Sequence, residues 1–541
     1  MDNFVICHEQ IHCFKVTIAE ILGRRTLGQG GKRVRRGRAA RDTEEGQAPA
    51  TAFSSSGYAG GRYAPLSDDE AQNTHETAIE LLETLGLSQA TPKMTELVVA
   101  RGGRVTEQGR LLFPSALIRD VLDGVRRDVV LFGRGAGLDL DLSGDKLHFS
   151  SGGASPSLVD LETGRYRDAT TSDLYDAARI VDAMENIHHF SRSLVARDAP
   201  DPLSMDINTA YACLAGTRKH VSVSATKPEH VAALADICHL LAGGEAAFRA
   251  RPFMTIMVCH VVPPMRFAAE ACDTLDAALR AGFPVQIISA GQAGATSPAS
   301  VAGSLVQAVA ETLAGVAFAW LVAPDARIIF APKPLVADLR TGAMCGGGGE
   351  QAVLMAGAAQ MGRFYNLPTS SIAGITDAKT ADAQSGYEKS LAVTLAAQAG
   401  SNLITQACGM QASLLGASLE AYVIDNDMLG AIMRSVRGIE ATEANLSAQV
   451  IRDVCLGEGH YLGHLDTLAR MKADYSYPLI ADRQSPREWE EAGAQDIRNA
   501  ARDHARRILA DHHPKPFSRE IDDILRSQHD IVIGRQRVGR T

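Results

Sequence analysis

The stretch HVSVSATKPEHVAALADICHLLAGGEAAFRARPFMTIMVC (residues 220–259) decides the fold, because it places two strand-like runs on either side of a helical one. The runs at 220–224 and 253–259 are short and rich in Val, Met and Ile, as buried strands are. Between them, residues 228–243 repeat apolar side chains at helical spacing. A strand, a helix and a second strand in series predict parallel strands joined by a right-handed crossover.

The same alternation continues on both sides of this unit. Further strands are predicted at 187–191, 284–290, 327–331, 368–374, 402–407 and 421–425. Helical stretches are predicted at 206–217, 265–281, 298–322, 349–365 and 384–400. Eight strands over about 250 residues favour an α/β fold of the (β/α)8 TIM barrel type. An open doubly wound sheet is the main alternative, but no Gly-rich dinucleotide turn follows the first predicted strand.

Three further segments flank the predicted barrel (170–437). Residues 1–65 contain an Arg- and Gly-rich run without periodicity, which predicts a flexible basic leader. Residues 66–169 predict helices followed by a small antiparallel β meander, and the acidic capping pattern at Ser67 marks the first helix start. Residues 438–541 predict a helical extension that packs across the barrel or forms a contact in a homo-oligomer.

Composition excludes several functional classes. The chain has 541 residues, and its formal net charge of −9 argues against nucleic acid as a partner of the main body. Its nine cysteines are scattered without a CxxC pair, which favours a reducing, cytoplasmic environment over a disulfide framework. The apolar run at 301–323 is long enough to cross a membrane, but polar residues near its centre favour burial inside the protein.

The predicted barrel places candidate chemistry in the loops that follow its strands. In the loop after the sixth strand, Lys379 is placed to act as an acid, a base or a point charge, although a surface lysine is an equal alternative. Gly347 and Gly348 belong to a Gly-rich loop that opens a helix, which suits an anion site or a flexible lid. Cys259, His260 and Cys345 suggest zinc ligands, but a core cysteine beside a hydrogen-bonded histidine is favoured, so no metal site is predicted.

Several motifs occur together in an order that resembles one family. They are RRGRAAR (35–41), YAPLSDDEAQNTHETAIELLETLGL (63–87), SGGASPSLVDLETGRYRDATTSDLYDAARIVDAMENI (151–187), GATSPASVAGSLVQAVAETLAG (294–315), TDAKTADAQSGYEK (376–389) and EGHYLGH (458–464). On these motifs the chain resembles the trimethylamine methyltransferase (MttB-type) family. The resemblance implies a (β/α)8 barrel with N-terminal additions that transfers a methyl group from a methylated amine to Co(I) of a corrinoid on a partner protein.

The founding archaeal members of that family carry pyrrolysine at the barrel mouth, and this sequence has none. Lys379 is the nearest ordinary counterpart in the corresponding loop. The resemblance to the pyrrolysine-free branch therefore implies a quaternary amine such as glycine betaine as the methyl donor. A quaternary nitrogen already carries its positive charge and leaves as a neutral amine, so the enzyme mainly has to orient one methyl group.

Candidate site residues follow from this chemistry. Lys379 and Asp377 are the predicted catalytic residues. An ammonium group favours aromatic faces, so Phe330 and Tyr387 are predicted contacts, with Phe190 as a further candidate. The predicted substrate-binding set is completed by His260, Gln406, Gly347 and Gly348.

Three functions stay open from the sequence. The first is transfer from a quaternary amine to a corrinoid protein, and the second is a pyrrolysine-free methyltransferase for trimethylamine or another methylamine. The third is a non-catalytic paralogue that binds methylated amines. No D-x-H-x-x-G corrinoid motif occurs in the chain, so cobalamin is expected on the partner, with no cofactor bound by this chain itself.

Overall fold

Parallel β-pairing organises the centre of the protein. The computed structural model describes residues 58–539. The strands are β1 (Tyr58–Ala59), β2 (Leu87–Ser88), β3 (Arg104–Val105), β4 (Arg110–Leu112), β5 (Val130–Leu131), β6 (Leu140–Asp141), β7 (Lys146–Phe149), β8 (Ser157–Val159), β9 (Tyr166–Asp168), β10 (Phe190–Ser191), β11 (Val221–Val223), β12 (Met254–Cys259), β13 (Val285–Ser289), β14 (Gln292–Ala293), β15 (Ile328–Pro332), β16 (Leu335–Val336), β17 (Ser370–Ile372), β18 (Leu403–Thr405), β19 (Met410–Gln411) and β20 (Gly416–Ser418).

Helices lie between most of the central strands. The α-helices are α1 (Asp68–Thr84), α2 (Pro92–Val99), α3 (Ser115–Gly124), α4 (Thr171–Ala183), α5 (Pro202–Gly216), α6 (His230–Ala242), α7 (Glu245–Ala250), α8 (Ala269–Arg280), α9 (Val301–Val322), α10 (Gly349–Phe364), α11 (Ala383–Gln398), α12 (Leu419–Arg437), α13 (Ala448–Leu456), α14 (Leu465–Ala473), α15 (Pro486–Glu491), α16 (Ile497–Asp511) and α17 (Arg519–Gln528). The helices predicted between the strands are confirmed within a few residues, as expected for long periodic segments.

Two groups of parallel strands are joined at both ends. Strands β10, β11, β12, β13 and β15 pair in that order, and β17, β18 and β7 pair in parallel, with β1 antiparallel on β7. A parallel bridge between Phe330 and Thr369 connects β15 to the segment before β17. A second parallel bridge, between Ser150 and His189, connects the end of β7 to the segment before β10. The predicted α/β class is therefore confirmed.

One predicted strand is wrong, and another strand comes from an unexpected place. Residues 421–425 (AYVID) lie inside helix α12, which begins after the Ser418 cap, so a short apolar run there reflects a buried helical face. Strand β7 instead adds a parallel partner to β18. It comes from the region predicted as an antiparallel meander, in which β5 pairs antiparallel with β6 and β8 pairs antiparallel with β9. A four-residue strand has too little sequence to reveal its partner.

Helix α9 is a core element. It is long and apolar enough to cross a membrane by length and composition, but 78% of its most apolar window is buried inside the protein. Its central residues Glu311 and Thr312 are themselves fully buried and bonded to neighbouring groups. The expectation of burial for this segment is confirmed.

The flanking segments are mostly helical. Helix α1 begins at the predicted capping box, in which Ser67 and Glu70 exchange hydrogen bonds with each other's backbone. Beyond residue 437 the chain forms short helices, of which α16 packs on α12 and α4. The predicted leader at 1–65 lies almost entirely outside the described residues, and the predicted boundaries at 169 and 437 stay predictions.

A buried ion pair ties α11 to α12. The Lys389 ammonium donates to Asp425 at 2.8 Å, both side chains are almost fully buried, and the Gly409 N–H donates to the same carboxylate at 2.7 Å. Replacing Asp425→Asn leaves the Lys389 charge without its counter-ion. We expect this change to lower the free energy of unfolding by about 3–5 kcal/mol, measured by urea titration.

Two variants check that expectation. The double variant Lys389→Met with Asp425→Asn removes the orphaned charge and should lose less stability than Asp425→Asn alone. Glu491→Ala breaks the exposed pair with Arg487 and should change stability by less than about 0.5 kcal/mol. If Asp425→Asn is as stable as Glu491→Ala, Asp425 does not stabilise the fold by neutralising the Lys389 charge.

Candidate functional site

The parallel strands all end at one edge, and the residues at and just beyond their C-terminal ends are called here the carboxyl edge. Lys333 lies there directly after β15, and its backbone N–H donates to the Ser289 carbonyl at 2.7 Å. Its side chain is buried, and the ammonium donates to Thr405 Oγ1 at 2.8 Å and to Gln286 Oε1 at 3.2 Å. No carboxylate of residues 58–539 lies within ion-pair distance of it.

Burial changes the acidity of this lysine. Desolvation lowers the pKa of Lys333 to about 7, and the nearby Cys259 thiol opposes the shift only weakly. A group with that pKa exchanges its proton near neutral pH. Lys333 is therefore a buried cation at the carboxyl edge whose charge changes near neutral pH.

Cys259 ends strand β12 and is accessible to solvent. Its surroundings still desolvate it, which raises the pKa of the thiol against the opposing charges of Lys333 and Arg192. Arg192 follows β10 and is partly buried, and its Nε atom has no hydrogen-bond partner in the described part of the chain. Burial lowers the pKa of that guanidinium. The thiol thus lies near two cations, of which Lys333 has no carboxylate within ion-pair distance and Arg192 is influenced by the charge of Asp206.

The buried His189 ring connects the strands close to the carboxyl edge. His189 Nδ1 contacts Ser150 Oγ at 2.6 Å and its Nε2 contacts Ser222 Oγ at 2.9 Å, so one ring links three neighbouring strands. Burial lowers the pKa of His189 well below its usual value, with smaller contributions from the charges of His220 and Lys333. The ring is therefore held neutral, and it acts as a structural connector.

The loop after β17 is fastened to the Gly-rich loop before α10. Asp377 accepts hydrogen bonds from the Gly346 N–H (2.8 Å), the Gly347 N–H (3.2 Å), Cys345 Sγ (3.1 Å) and the Ser413 hydroxyl. Burial alone would raise the pKa of Asp377, but these donors together lower it. The carboxylate consequently stays ionised and positions two loops.

Glycine is required at Gly347 by close packing. A Cβ atom there would lie 2.2 Å from the Glu388 carboxylate, which in turn accepts the Asp377 N–H at 2.8 Å. Gly153 has a different reason, since its φ is +121° and a Cβ would lie 2.0 Å from Met410 Sδ. These two glycines let the loops of the carboxyl edge approach one another closely.

The predicted site residues fall into two groups. Asp377, Gly347, Gly348 and Lys379 lie in the two fastened loops, and Gln406 lies beside them, because a Cβ at Gly374 would lie 2.6 Å from the Gln406 carbonyl. Lys379 is exposed and its ammonium donates to the Asp377 carbonyl oxygen at 2.6 Å. The roles predicted for this group stay predictions.

The other predicted contacts lie elsewhere. Phe330 is 1% exposed and packs on Tyr365 with ring centroids 5.7 Å apart, and Phe190 is fully buried. His260 is buried against α9, where its Nε2 contacts the Glu311 carbonyl at 2.8 Å. Tyr387 is 63% exposed on helix α11. Phe330, Phe190 and His260 are too buried for a ligand to reach, and Tyr387 is too exposed to enclose one. These four side chains are therefore not included in the proposed site.

Lys333 and Arg192 were missed from sequence. Lys333 stands between Pro332 and Pro334, two residues past the end of the fifth predicted strand (327–331). A lysine directly after a buried strand in a parallel sheet is the signal that would have identified it. Cys259 is predicted as a core cysteine in preference to a zinc ligand, but the structure leaves it exposed to solvent. The described residues contain no group of three or more His, Cys, Asp or Glu that could hold a metal ion.

A large cavity occurs in a different part of the molecule. It has a volume of about 1020 Å³ and is lined by residues between Ile424 and Ile497, including Arg434, Arg437 and Arg470. Its arginines donate to neighbouring carbonyls and carboxylates. No lining residue belongs to the carboxyl edge, so size alone does not make this cavity the site.

Comparisons with known proteins agree with one another. The family model described as trimethylamine methyltransferase (MTTB) matches residues 33–537. Trimethylamine methyltransferase MttB of Methanosarcina barkeri is 30% identical over 84% of this chain and 92% of that protein. MttB of Desulfitobacterium hafniense (strain DSM 10664 / DCB-2) is 29% identical over 86% of this chain and 93% of its own length.

A relative named for a different methyl donor is almost as similar. The glycine betaine methyltransferase of Desulfitobacterium hafniense (strain Y51) is 27% identical over 86% of this chain and 96% of that protein. Identities of this size to proteins with two different donors do not select one donor, so the choice has to come from the chemistry of the site.

The loop-positioning role of Asp377 can be tested. Asp377→Ala removes an acceptor shared by several donors. The Gly-rich loop before α10 (residues 338–349, the 338–349 loop) should therefore open more often. Charged hydrogen bonds contribute about 1.5–3 kcal/mol, and we expect amide exchange at Gly346 and Gly347 to accelerate roughly tenfold to a hundredfold. Hydrogen–deuterium exchange measures this directly.

The control for that test is Lys379→Ala, which removes an exposed side chain bonded only to a backbone carbonyl. It should leave exchange in the 338–349 loop unchanged. Equal protection in Asp377→Ala and the wild type would show that the carboxylate does not hold the loop.

Proposed function

The chain belongs to the trimethylamine methyltransferase family, and from this premise we propose that it transfers a methyl group from a quaternary amine to Co(I) of a corrinoid on a partner protein. In that reaction the C–N bond breaks and its electron pair stays on nitrogen. The Co(I) acceptor supplies the electron pair of the new bond to carbon, and a neutral tertiary amine leaves. No proton has to move.

The observation that carries this proposal is the charge state of the carboxyl edge. Burial holds the His189 ring neutral and raises the pKa of the Cys259 thiol, which leaves Lys333 as the one of these three groups that exchanges a proton near neutral pH. A tertiary amine must be activated before its methyl leaves, whereas a quaternary amine needs orientation alone. The quaternary donor is proposed because its amine leaves without a proton, so the reaction does not depend on the charge of Lys333.

We also propose that the parallel strands close into a (β/α)8 barrel. Eight parallel strands contribute: β7, β10, β11, β12, β13, β15, β17 and β18. The bridges at Phe330–Thr369 and Ser150–His189 support closure, because each joins one end of the first group of strands to an end of the second. Barrel enzymes place their sites at the C-terminal ends of the strands, which here is the carboxyl edge.

Cobalamin is proposed to arrive on a separate corrinoid protein in the cytoplasm. The seven described cysteines are all free, which supports a reducing environment. A homo-oligomer is proposed as well. It is supported by large apolar side chains that stay exposed in the C-terminal segment, namely Ile439 (92%), Leu456 (89%) and Leu465 (80%).

The donor can be identified by mixing the purified protein with Co(I) cobalamin and single amines. We expect glycine betaine to yield methyl-Co(III) cobalamin, seen in the visible spectrum, and trimethylamine to yield none. The physical reason is that only the quaternary nitrogen can leave without a proton. Samples without protein give the background rate for each amine.

Two other outcomes would overturn the proposal. Methylation from trimethylamine but not from glycine betaine would identify a pyrrolysine-free trimethylamine methyltransferase. Binding of amines in calorimetry without product from any of them would identify a non-catalytic paralogue.

A further inference from the structure

One segment near the C-terminus keeps many large apolar side chains in contact with solvent. Twelve of the twenty-eight large apolar side chains that are exposed among the described residues lie in residues 439–479, which are called here the C-terminal face. The most exposed are Ile439 (92%), Leu456 (89%) and Leu465 (80%). Apolar side chains that cluster in this way mark a surface that another molecule covers, whereas single exposed ones are ordinary.

Helix α14 shows how the C-terminal face is oriented. Leu465, Leu468 and Met471 follow one another at intervals of three residues, so they lie on one side of the helix, and each is at least 45% exposed. A surface helix of a monomeric protein normally turns such an apolar side towards the core. Here the apolar side faces solvent, and the turn before the helix adds the exposed side chains of Tyr461 and Leu462.

The same face contains a recess, which is the cavity of about 1020 Å³. Ile439 and Tyr475 line it, and helix α12 supplies the apolar side chain of Met428. Leu456 at the end of α13 and Leu465 at the start of α14 stay almost fully exposed beside it. A two-fold interface brings one surface of a chain against the same surface of a second copy, so it needs projecting and recessed parts on one face.

The charged side chains around the recess are paired with one another. Arg437 contacts Glu440 at 2.9 Å and Asp474 at 3.2 Å. Arg470 contacts the other oxygen of Asp474 at 3.1 Å, and Arg434 donates to the Asp474 carbonyl oxygen at 2.7 Å. Where identical surfaces meet, an unpaired charge is placed near its own copy and repels it. A face whose arginines are already engaged therefore suits a second copy of the chain.

The C-terminal face lies away from the carboxyl edge. Strand β1 pairs antiparallel with β7, with Ala59 opposite Lys146 at the start of β7. Arg62 follows β1 and packs on Gly438, where an added Cβ would clash with the Arg62 guanidinium. Gly438 and Ile439 line the recess, so the recess lies near the amino ends of the parallel strands. A corrinoid partner has to reach the carboxyl edge and would not cover this face.

From these features we propose that the C-terminal face forms a two-fold symmetric interface with a second copy of this chain. Apolar side chains of each copy pack into the recess of the other and exclude water from it. A standard interface buries about 800 Å² on each partner and uses about 20–30 residues a side, which a segment of this length and exposure can supply. The inference rests on the homo-oligomer of the proposed function, to which it gives a defined surface, and not on the reaction.

A natural cysteine on this face reports whether it is covered. Cys455 is exposed next to Leu456 in helix α13. Because interface cores pack as densely as protein interiors, we expect iodoacetamide to alkylate Cys455 at least about tenfold more slowly when the full chain is dimeric than when it is diluted to monomers. Sedimentation defines the two concentrations, and peptide mass spectrometry measures the alkylation. Cys259 at the carboxyl edge is the reference thiol and should react at the same rate at both concentrations.

Two matched variants locate the contact. Leu465→Glu places a charge in the proposed interface, and we expect it to weaken dimerisation at least about thirtyfold, as loss of a central contact does. Leu465 is 80% exposed in the single chain, so the thermal unfolding midpoint of the dilute monomer should stay the same. The control Leu415→Glu changes a side chain that is 64% exposed just before β20, outside the C-terminal face, and should dimerise like the wild type.

The results separate this inference from the proposed function. A wild type that stays monomeric would overturn both the interface and the homo-oligomer. A dimer in which Cys455 reacts freely, or a Leu465→Glu variant that dimerises like the wild type, would overturn the interface and leave the homo-oligomer standing. Protection of Cys455 that does not change on dilution would show that the same chain covers the face, and it would overturn the interface as well. Failure of the wild type to methylate Co(I) cobalamin would reject the proposed reaction, whatever the sedimentation data show.

Discussion

The cost of burying a charge is the constraint on which this structure depends. Parallel strands covered by helices leave little water near their ends, so each buried ion needs a partner or loses its charge. Asp425 provides the partner for Lys389, and three helix-end carbonyls do so for Lys219. His189 illustrates the alternative, because burial keeps its ring neutral. Lys333 fits neither solution completely, because its ammonium donates to two neutral oxygens and burial lowers its pKa to about 7.

The same constraint connects the fold to the proposed reaction. A methyl group leaves a quaternary nitrogen without a proton, so a site that keeps its thiol and imidazole uncharged loses nothing by doing so. What the reaction requires is a fixed direction for one methyl group. The Asp377 carboxylate contributes to that requirement indirectly, since it holds the Gly-rich loop and the loop after β17 in one arrangement. Loops held in one arrangement at the strand ends are what a fixed direction for a methyl group needs.

Sequence reasoning succeeded where periodicity extends over many residues. The helices between the strands and the buried helix α9 were predicted because ten or more residues share one apolar face. It failed where the structure of a segment depends on contacts with residues far away in the chain. Residues 421–425 have the composition of a strand but extend a helix, and β7 is too short to show that it pairs with β18. At the site, Asp377 and Gly347 were predicted as loop residues, but their contact with each other was not. Lys333 was not predicted, because the strand was expected to end at residue 331 and the observed strand continues to Pro332, directly before the lysine.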